Sequence, residues 1–203
     1  KSGEFRDVYE LIKQYQWEVE IDNELLDALI NSEIELELYE KAFEEFGKYD
    51  QNDMVDKIRY LKAKVNCYVG NFDEAEKDAD LLLKKDNLTD LSKNEIIYLK
   101  LLIMSKSGIH KDYKKVFDLS LKDEEYYDEI LEEYGKILVD NNEYEKAIET
   151  FMNIKKDKDN KPELLYNIAL AYSELKEYLL AKEHLLKAFR INESPQIVFL
   201  LAN

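Results

Sequence analysis

The residue types that most often do chemistry are sparse in this sequence and lie far apart. The two histidines, His110 and His184, have no second histidine, cysteine or carboxylate at a spacing typical of zinc ligands. Cys67 has no neighbouring histidine or basic cluster in the sequence that would activate its thiol as a nucleophile. The sequence also lacks a glycine-rich phosphate-binding loop. We therefore expect no catalytic residue, no metal site and no cofactor, and interpret the chain as a protein that is not an enzyme.

One short segment alternates oxygen-bearing side chains in the manner of a calcium-binding loop. It runs from Asp157 through Asp159 to Asn160, but the turn glycine and the closing glutamate of such a loop are missing. The segment is therefore expected to be a solvated loop between helices.

The composition predicts an ordered helical protein. Hydrophobic residues make up 45% and charged residues 36% of the 203 residues, and five glycines and two prolines are few for a turn-rich β fold. No apolar run approaches the roughly 20 residues that cross a bilayer, so no membrane insertion is expected.

The formal net charge of -16 bears on the class of partner. Binding to phosphate depends on lysines and arginines that release counterions, so nucleic acid and anionic lipid are not expected as partners. The acidity either keeps a long, exposed molecule in solution or steers a basic partner. A single cysteine cannot form an internal disulfide and therefore does not fix the compartment. A cytoplasmic location is favoured, and export with the signal peptide removed stays an alternative.

A repeat with a period of 34 residues organises the C-terminal half. Tyr144 and Ala147 return as Tyr178 and Ala181. The repeat also relates Gly135 to Ala169 and Phe151 to Leu185, so that small and large residues each return at their own phase. A small residue where two paired helices cross lets their backbones approach closely.

The same pattern of an aromatic residue and, three positions later, a small residue can be followed upstream. The matches are Tyr39 with Ala42, Phe72 with Ala75, Tyr113 with Val116, Tyr144 with Ala147, and Tyr178 with Ala181. The spacings between the small positions are 33, 41, 31 and 34 residues, so the third unit is expected to be irregular.

In these features the sequence resembles the tetratricopeptide-repeat (TPR) family, whose period is 34 residues. Gly135, Ala169 and Ala188 match small positions of the family consensus, whereas Met104, Ser120 and Asp123 depart from it. The resemblance implies an all-α fold, a right-handed α-solenoid of stacked antiparallel helix pairs with about 12 helices. It implies one domain over residues 1–203, with capping helices in 1–31, repeat units in 33–194 and a C-terminal helix in 195–203. This last helix covers the final pair or, if the chain continues, begins another unit.

Capping signals place the helix starts. Ser32 and Ser92 each precede a glutamate by three residues in a capping box, and Pro162 and Pro195 suit a first helical turn. The N-terminal stripe of Phe5, Val8, Tyr9, Ile12, Tyr15 and Val19 is expected to face the first unit. Helices are predicted near residues 5–19, 23–31, 33–47, 54–69, 73–85, 92–106, 112–121, 124–140, 143–155, 162–175, 178–190 and 195–202.

The resemblance also implies a groove for a protein or peptide ligand. In the family, this concave surface is lined by set positions of each first helix. Carried onto this sequence, those positions are Lys57, Tyr60, Lys64, Tyr98, Leu101, Ser105, Glu129, Glu132, Lys136, Glu163, Tyr166 and Leu170. Their charge runs from basic to mostly acidic, which predicts a ligand with an acidic part toward the second unit and a basic or apolar part toward the fifth.

The function that this resemblance implies is a protein- or peptide-binding scaffold. Two alternatives stay open at this point. The chain could be the regulatory or peptide-sensing arm of a larger enzyme or transcription regulator, or it could be a structural assembly subunit. A monomer is expected, with self-association through the terminal helices as the alternative.

Overall fold

The structure is a computed structural model that describes residues 2–15, 22–47, 54–88, 90–122 and 124–202. Within these ranges it contains twelve α-helices, one 3-10 turn at Lys158–Asn160 and no strand, which confirms the all-α prediction. Trp17, Val19 and Asp123 lie outside the described residues. The helices are α1 (Ser2–Tyr15), α2 (Asn23–Glu35), α3 (Tyr39–Phe46), α4 (Asp56–Tyr68), α5 (Phe72–Leu83), α6 (Lys93–Ser107), α7 (Tyr113–Phe117), α8 (Tyr127–Asp140), α9 (Tyr144–Met152), α10 (Pro162–Glu174), α11 (Tyr178–Ile191) and α12 (Pro195–Ala202).

The capping box predicted at Ser92 is present at the start of α6. The backbone N–H of Ser92 donates to Glu95 Oε2 at 2.7 Å, and the backbone N–H of Glu95 donates to Ser92 Oγ at 3.2 Å. Two donors that the helix itself leaves unpaired are thereby satisfied. The predicted helix starts at Pro162 and Pro195 are likewise observed.

The capping box predicted at Ser32 is wrong. Ser32 lies inside α2, where its hydroxyl donates to the backbone oxygen of Ala28 at 2.7 Å. The buried residues Leu29, Ile30 and Ile34 continue the apolar face of α2 past this serine, and their burial outweighs the cap. The helices predicted at 23–31 and 33–47 are consequently α2, which extends to Glu35, and α3, which begins at Tyr39.

The helices form two compact units, Lys1–Ser107 with α1 to α6 and Gly108–Asn203 with α7 to α12. In the first unit α1 packs on α2, α2 on α3, and α4 on α5 and α6. In the second unit α8 packs on α9, α9 and α11 on α10, and α11 on α12. The division into cap, repeats and C-terminal helix that the sequence predicts stays a prediction.

The small residues of the repeat lie at the helix crossings of each unit. Ala42 and Ala75 are fully buried in the core of the first unit, and Ala147 is fully buried in the second. The approach is closest at Gly135, where a Cβ atom would lie 2.2 Å from the ring of Phe151. One repeat later, Ala169 and Leu185 share a core cluster with Ala188 and Ile197. The repeat with the larger Phe151 therefore has a glycine at the matched position, and the repeat with the smaller Leu185 has an alanine there.

The third repeat is irregular, as its spacing in the sequence predicts. Its second helix, α7, has only five residues, whereas residues 112–121 were predicted to be helical. Phe117 stacks on Tyr134 with ring centroids 3.9 Å apart, and the hydroxyl of Tyr113 donates to Glu143. Aromatic packing on α8 therefore holds this short helix.

The turns that join paired helices share one backbone geometry. After α2, α8 and α10 the residues Glu37, Asn142 and Lys176 have φ values of 59°, 59° and 65°. At α10, the backbone N–H of Glu177 donates to Tyr172 O at 2.9 Å, which closes a Schellman motif. The corresponding residue after α4 is Gly70, the residue type that adopts this left-handed conformation without strain.

A buried carboxylate lies where α1 meets α2 and α3. Glu33 is fully buried, and neither of its carboxylate oxygens has a hydrogen-bond partner among the described residues. Lys13 Nζ lies 3.6 Å from Glu33 Oε1 and donates to Glu45 Oε1 at 2.6 Å. Burial raises the pKa of Glu33 to about 7, although Lys13 opposes the shift, and Glu45 adds to it.

Candidate functional site

The second unit contains a cleft that brings together side chains of α8, α10 and α12, which we name the amide cleft. It has a volume of about 330 Å³. Three of the groove residues predicted from the sequence, Lys136, Glu163 and Tyr166, line it. The remaining lining residues are Pro162, Asn167, Asn192, Ser194, Gln196 and Ile197.

The lining combines apolar contact area with side-chain amides. Pro162, Tyr166 and Ile197 supply the apolar part. Asn167, Asn192 and Gln196 each offer an amide that can donate and accept hydrogen bonds, which are the two capacities of a peptide backbone. This arrangement suits an extended peptide segment with an apolar side chain.

Sequence reasoning missed these three amides. Asn167 directly follows Tyr166 and is rotated from it by about 100° on the helix, so the repeat pattern does not mark it as a groove position. Asn192 and Gln196 flank the start of α12, which no repeat pattern marks as groove. An available signal was the amide content of residues 192–196 beside a helix-initiating proline.

The predicted groove residues Glu132 and Lys136 on α8 form an ion pair with each other and further ion pairs with neighbouring residues. Lys136 Nζ lies 3.3 Å from Glu132 Oε1 and 2.9 Å from Glu133 Oε1, and Lys161 Nζ lies 2.9 Å from Glu132 Oε2. Burial opposes ionisation of Glu132, but Lys136 and Lys161 outweigh it and lower the pKa of Glu132. Burial likewise opposes the charge of Lys136, but Glu133 and Glu132 raise its pKa. Both side chains are thus held in their ionised forms.

Two further predicted groove carboxylates, Glu129 and Glu163, take no part in these ion pairs. Glu129 is half-buried, and its Oε2 atom has no hydrogen-bond partner among the described residues. Glu163 is exposed at the rim of the amide cleft. Leu170 is half-buried on α10 and does not line the cleft. The Oε2 atom of Glu129 is buried, whereas the exposed carboxylate of Glu163 favours a ligand that brings cationic or hydrogen-bond-donating groups.

The predicted groove residues of the first unit are placed differently. Tyr60 is 5% exposed and Leu101 is 0% exposed, so these two side chains belong to the interior and offer no surface to a ligand. In this part of the chain, the positions transferred from the family therefore do not distinguish groove residues from residues buried between helices. Tyr98 and Ser105 are half-buried on α6.

The two predicted basic groove residues also differ from each other. Lys57 Nζ lies 2.9 Å from Asp27 Oδ2, in a shallow cleft that Glu24 and Asp90 also line, so the surrounding acids offset its charge. Lys64 is half-buried, and burial lowers its pKa against the opposing influence of Glu35 and Glu95. Of the two, Lys64 is the lysine better placed to meet an anionic group.

The residues considered for catalysis lie in separate structural settings. Cys67 is buried in the core of the first unit. His110 Nδ1 lies 2.9 Å from Asn141 Nδ2, whereas His184 stacks on Tyr172 and has its pKa lowered by burial. Among the described residues, no group of three or more histidine, cysteine, aspartate and glutamate side chains could hold a metal ion. No described helix is long and apolar enough to span a membrane.

Comparison with known proteins connects this arrangement to a family. Residues 162–195 match the family model of the tetratricopeptide repeat. A comparison with curated protein sequences gave no significant match.

Two solved structures have a similar fold. One is the crystal structure of YrrB, described as a TPR protein with an unusual peptide-binding site, at a TM-score of 0.59, 15% identity and coverage of 95% of each chain. The other is the C-terminal part of a TPR repeat-containing protein from Cytophaga hutchinsonii, at a TM-score of 0.56 and 14% identity, with 93% of this chain and 74% of that chain covered. At these identities the likeness concerns the fold. The resemblance to the tetratricopeptide-repeat family is therefore confirmed, by the match of residues 162–195 and by the fold of stacked antiparallel helix pairs.

Proposed function

We propose that this chain is a protein-interaction scaffold and that its amide cleft binds an extended peptide segment. The observation that carries the proposal is the lining of the cleft, in which Tyr166 and Ile197 lie beside the amides of Asn167, Asn192 and Gln196. Amides at several points along a cleft hydrogen-bond a peptide backbone whatever its sequence, and the apolar residues select a side chain.

Three considerations support this function over an enzymatic or a nucleic-acid-binding one. TPR proteins are in general scaffolds without enzymatic activity. One of the proteins with a similar fold is described as having a peptide-binding site. The net charge of -16 disfavours nucleic acid as the ligand, since phosphate groups would be repelled.

The charges around the amide cleft indicate the kind of peptide that it takes. Glu163 is exposed at the rim, and Lys136 is neutralised by Glu132 and Glu133. A ligand segment with an apolar side chain for the cleft and a basic side chain for Glu163 therefore fits best. At the second repeat, Lys64 is the candidate contact for an acidic group of a ligand, because Lys57 is already paired with Asp27.

Selection from a displayed library of random peptides, followed by affinity measurement on the full chain, tests the proposal. We expect enriched peptides to combine apolar and basic residues. Tyr166→Ala and Gln196→Ala should each weaken binding of a selected peptide about tenfold, the effect typical of a central contact.

Tyr144→Ala is the matched control, because Tyr144 is also half-buried but lies on α9 and does not line the amide cleft. A second arm uses Glu163→Lys, which should shift the selected peptides toward acidic residues. If selected peptides bind the Tyr166 and Gln196 variants as well as they bind the unaltered chain, the amide cleft is not the binding site.

A further inference from the structure

The N-terminal helix α1 leaves an apolar stripe uncovered. Its inner face packs on α2, with Ile12 buried, but Leu11 is 59% exposed. Val8 and Tyr15 are also exposed, so the prediction that these two residues face the first repeat is wrong. These three residues recur at spacings of three and four and therefore lie along one side of the helix. The side chains of Glu4 and Asp7, one turn before Val8 and Leu11, are exposed beside the same stripe.

The other terminal helix borders an open apolar cleft, which we name the end cleft. It has a volume of about 280 Å³ and lies between α11 and α12. Tyr178 lines it and is 63% exposed, and Lys182 lines it with an exposed ammonium group. Its other lining residues are Ser173, Ala181, Leu185, Leu200 and Leu201.

The order of helices explains why these two surfaces are complementary. Four second helices, α3, α5, α9 and α11, each pack on their own first helix and on the first helix that follows. Helix α12 follows α11 as a first helix, and among the described residues no second helix covers it. Helix α1 packs on α2 as a second helix packs on the following first helix. Among the described residues, α1 and α12 therefore each have one side on which no paired helix packs.

The charges at the two surfaces have opposite signs. Residues 176–202 contain four basic and three acidic side chains, in a chain whose net charge is -16. Lys182 stands at the end cleft, whereas Glu4 and Asp7 flank the stripe on α1. Opposite charges at the rims of two apolar surfaces favour their encounter and fix their orientation.

We propose that α1 of a second copy of this chain docks into the end cleft, so that copies associate head to tail. The stripe of Val8, Leu11 and Tyr15 lies against Tyr178, Leu200 and Leu201, and the acidic rim of α1 meets Lys182. Such an interface is heterologous, because two different surfaces of the chain contact each other. The proposal does not depend on the amide cleft.

Sedimentation velocity of the full chain, from about 1 to about 300 µM, measures the association in the range expected for a small interface. Two variants each remove one surface: Asp7→Lys with Leu11→Lys on α1, and Tyr178→Glu with Lys182→Glu at the end cleft. Each is expected to weaken self-association at least about tenfold. Leu81→Lys is the matched control, since Leu81 is an exposed leucine on α5 outside both surfaces. Circular dichroism checks that all variants remain folded.

Mixing the two variants gives the sharpest test. Each variant keeps the surface that the other has lost, so an equimolar mixture should form a one-to-one dimer and nothing larger. A chain that stays monomeric at every concentration overturns the proposal and leaves the two surfaces to helices of a different sequence. Self-association that either variant leaves intact, or that the mixture fails to restore as a dimer, overturns it as well, because the interface would then lie elsewhere or pair identical surfaces.

Discussion

The fourth repeat, residues 127–152, and the fifth, residues 162–191, are built on the same 34-residue period but use their matched positions differently. The fourth packs Phe151 against Gly135, and the fifth packs Leu185 near Ala169. At the groove positions, Glu132 of the fourth corresponds to Tyr166 of the fifth. Glu132 forms ion pairs within the protein, whereas Tyr166 lines an open cleft.

The comparison shows which positions the 34-residue period constrains and which it does not. The volume of a crossing is conserved between the two repeats, because a smaller residue on one helix accompanies a larger one on the other. The groove positions carry no such constraint. The fourth repeat therefore has an ion-paired glutamate at the position where the fifth has a tyrosine that lines an open cleft, although the helices that hold them are equivalent.

The largest effect is expected from Gly135→Ala. The added Cβ would lie 2.2 Å from the ring of the fully buried Phe151. Overpacking of this kind costs about 1–3 kcal/mol, only partly offset by the roughly 1 kcal/mol that alanine contributes to helix stability. Urea unfolding should show a lower free energy of unfolding than for the unaltered chain. Adding Phe151→Leu, which copies the fifth repeat, should cost less than the two single changes predict, and strict additivity would show that the volumes are not coupled.

A second effect separates the groove positions of the two repeats. Tyr166→Ala should weaken binding of a selected peptide about tenfold, or about 1.4 kcal/mol. Glu132→Gln at the matched position should change the affinity less, because its carboxylate is paired with Lys136 and Lys161. Titration calorimetry measures both affinities, and equal losses for the two variants would mean that both repeats bind ligand.

The carboxylate of Glu132 makes the stability of the fourth repeat depend on pH, and the fifth repeat has no carboxylate at this position. Lys136 and Lys161 lower the pKa of Glu132 against the effect of burial, so its stabilising contribution is present above the ordinary pKa of 4.5 and is lost as the pH falls through the lower, folded value. Glu132→Gln should cost about 1 kcal/mol at pH 7 and less in acid. Thermal unfolding at pH 7 and pH 3 checks this, and an equal cost at the two pH values would contradict it.

The smallest effect concerns the turns. Lys176 has a φ of 65°, a conformation in which a lysine is strained, so Lys176→Gly should stabilise the chain by about 0.5–1 kcal/mol. Asn142 tolerates this conformation better and accepts a hydrogen bond from the hydroxyl of Tyr144 at 2.6 Å. Asn142→Gly should therefore give no gain. A larger gain at Asn142 than at Lys176, measured by thermal unfolding, would reverse the expected order.

The helices and the crossings could be predicted from the sequence because both depend on local spacing. The capping boxes show the limit of such prediction, since Ser92 caps α6 and Ser32 lies inside α2 with the same serine-to-glutamate spacing. The deciding factor was the tertiary burial of Leu29, Ile30 and Ile34, which no local motif records. The groove was predictable only in part for the same reason. Tyr60 and Leu101 are buried by contacts made elsewhere in the chain, and Gln196 enters the amide cleft from a different helix.

The buried Glu33 makes proton uptake part of the folding reaction. Its pKa is about 7 in the folded chain, against an ordinary value of 4.5, because burial opposes its ionisation. Between these two values the folded state holds a proton that the unfolded state has released, so stability from this group falls as the pH rises toward 7. Calorimetric heats of unfolding near pH 6 should therefore vary with the ionisation enthalpy of the buffer, and Glu33→Gln should remove that variation. The attachment of the first helix is thus coupled to the chemical potential of protons in the surrounding solution.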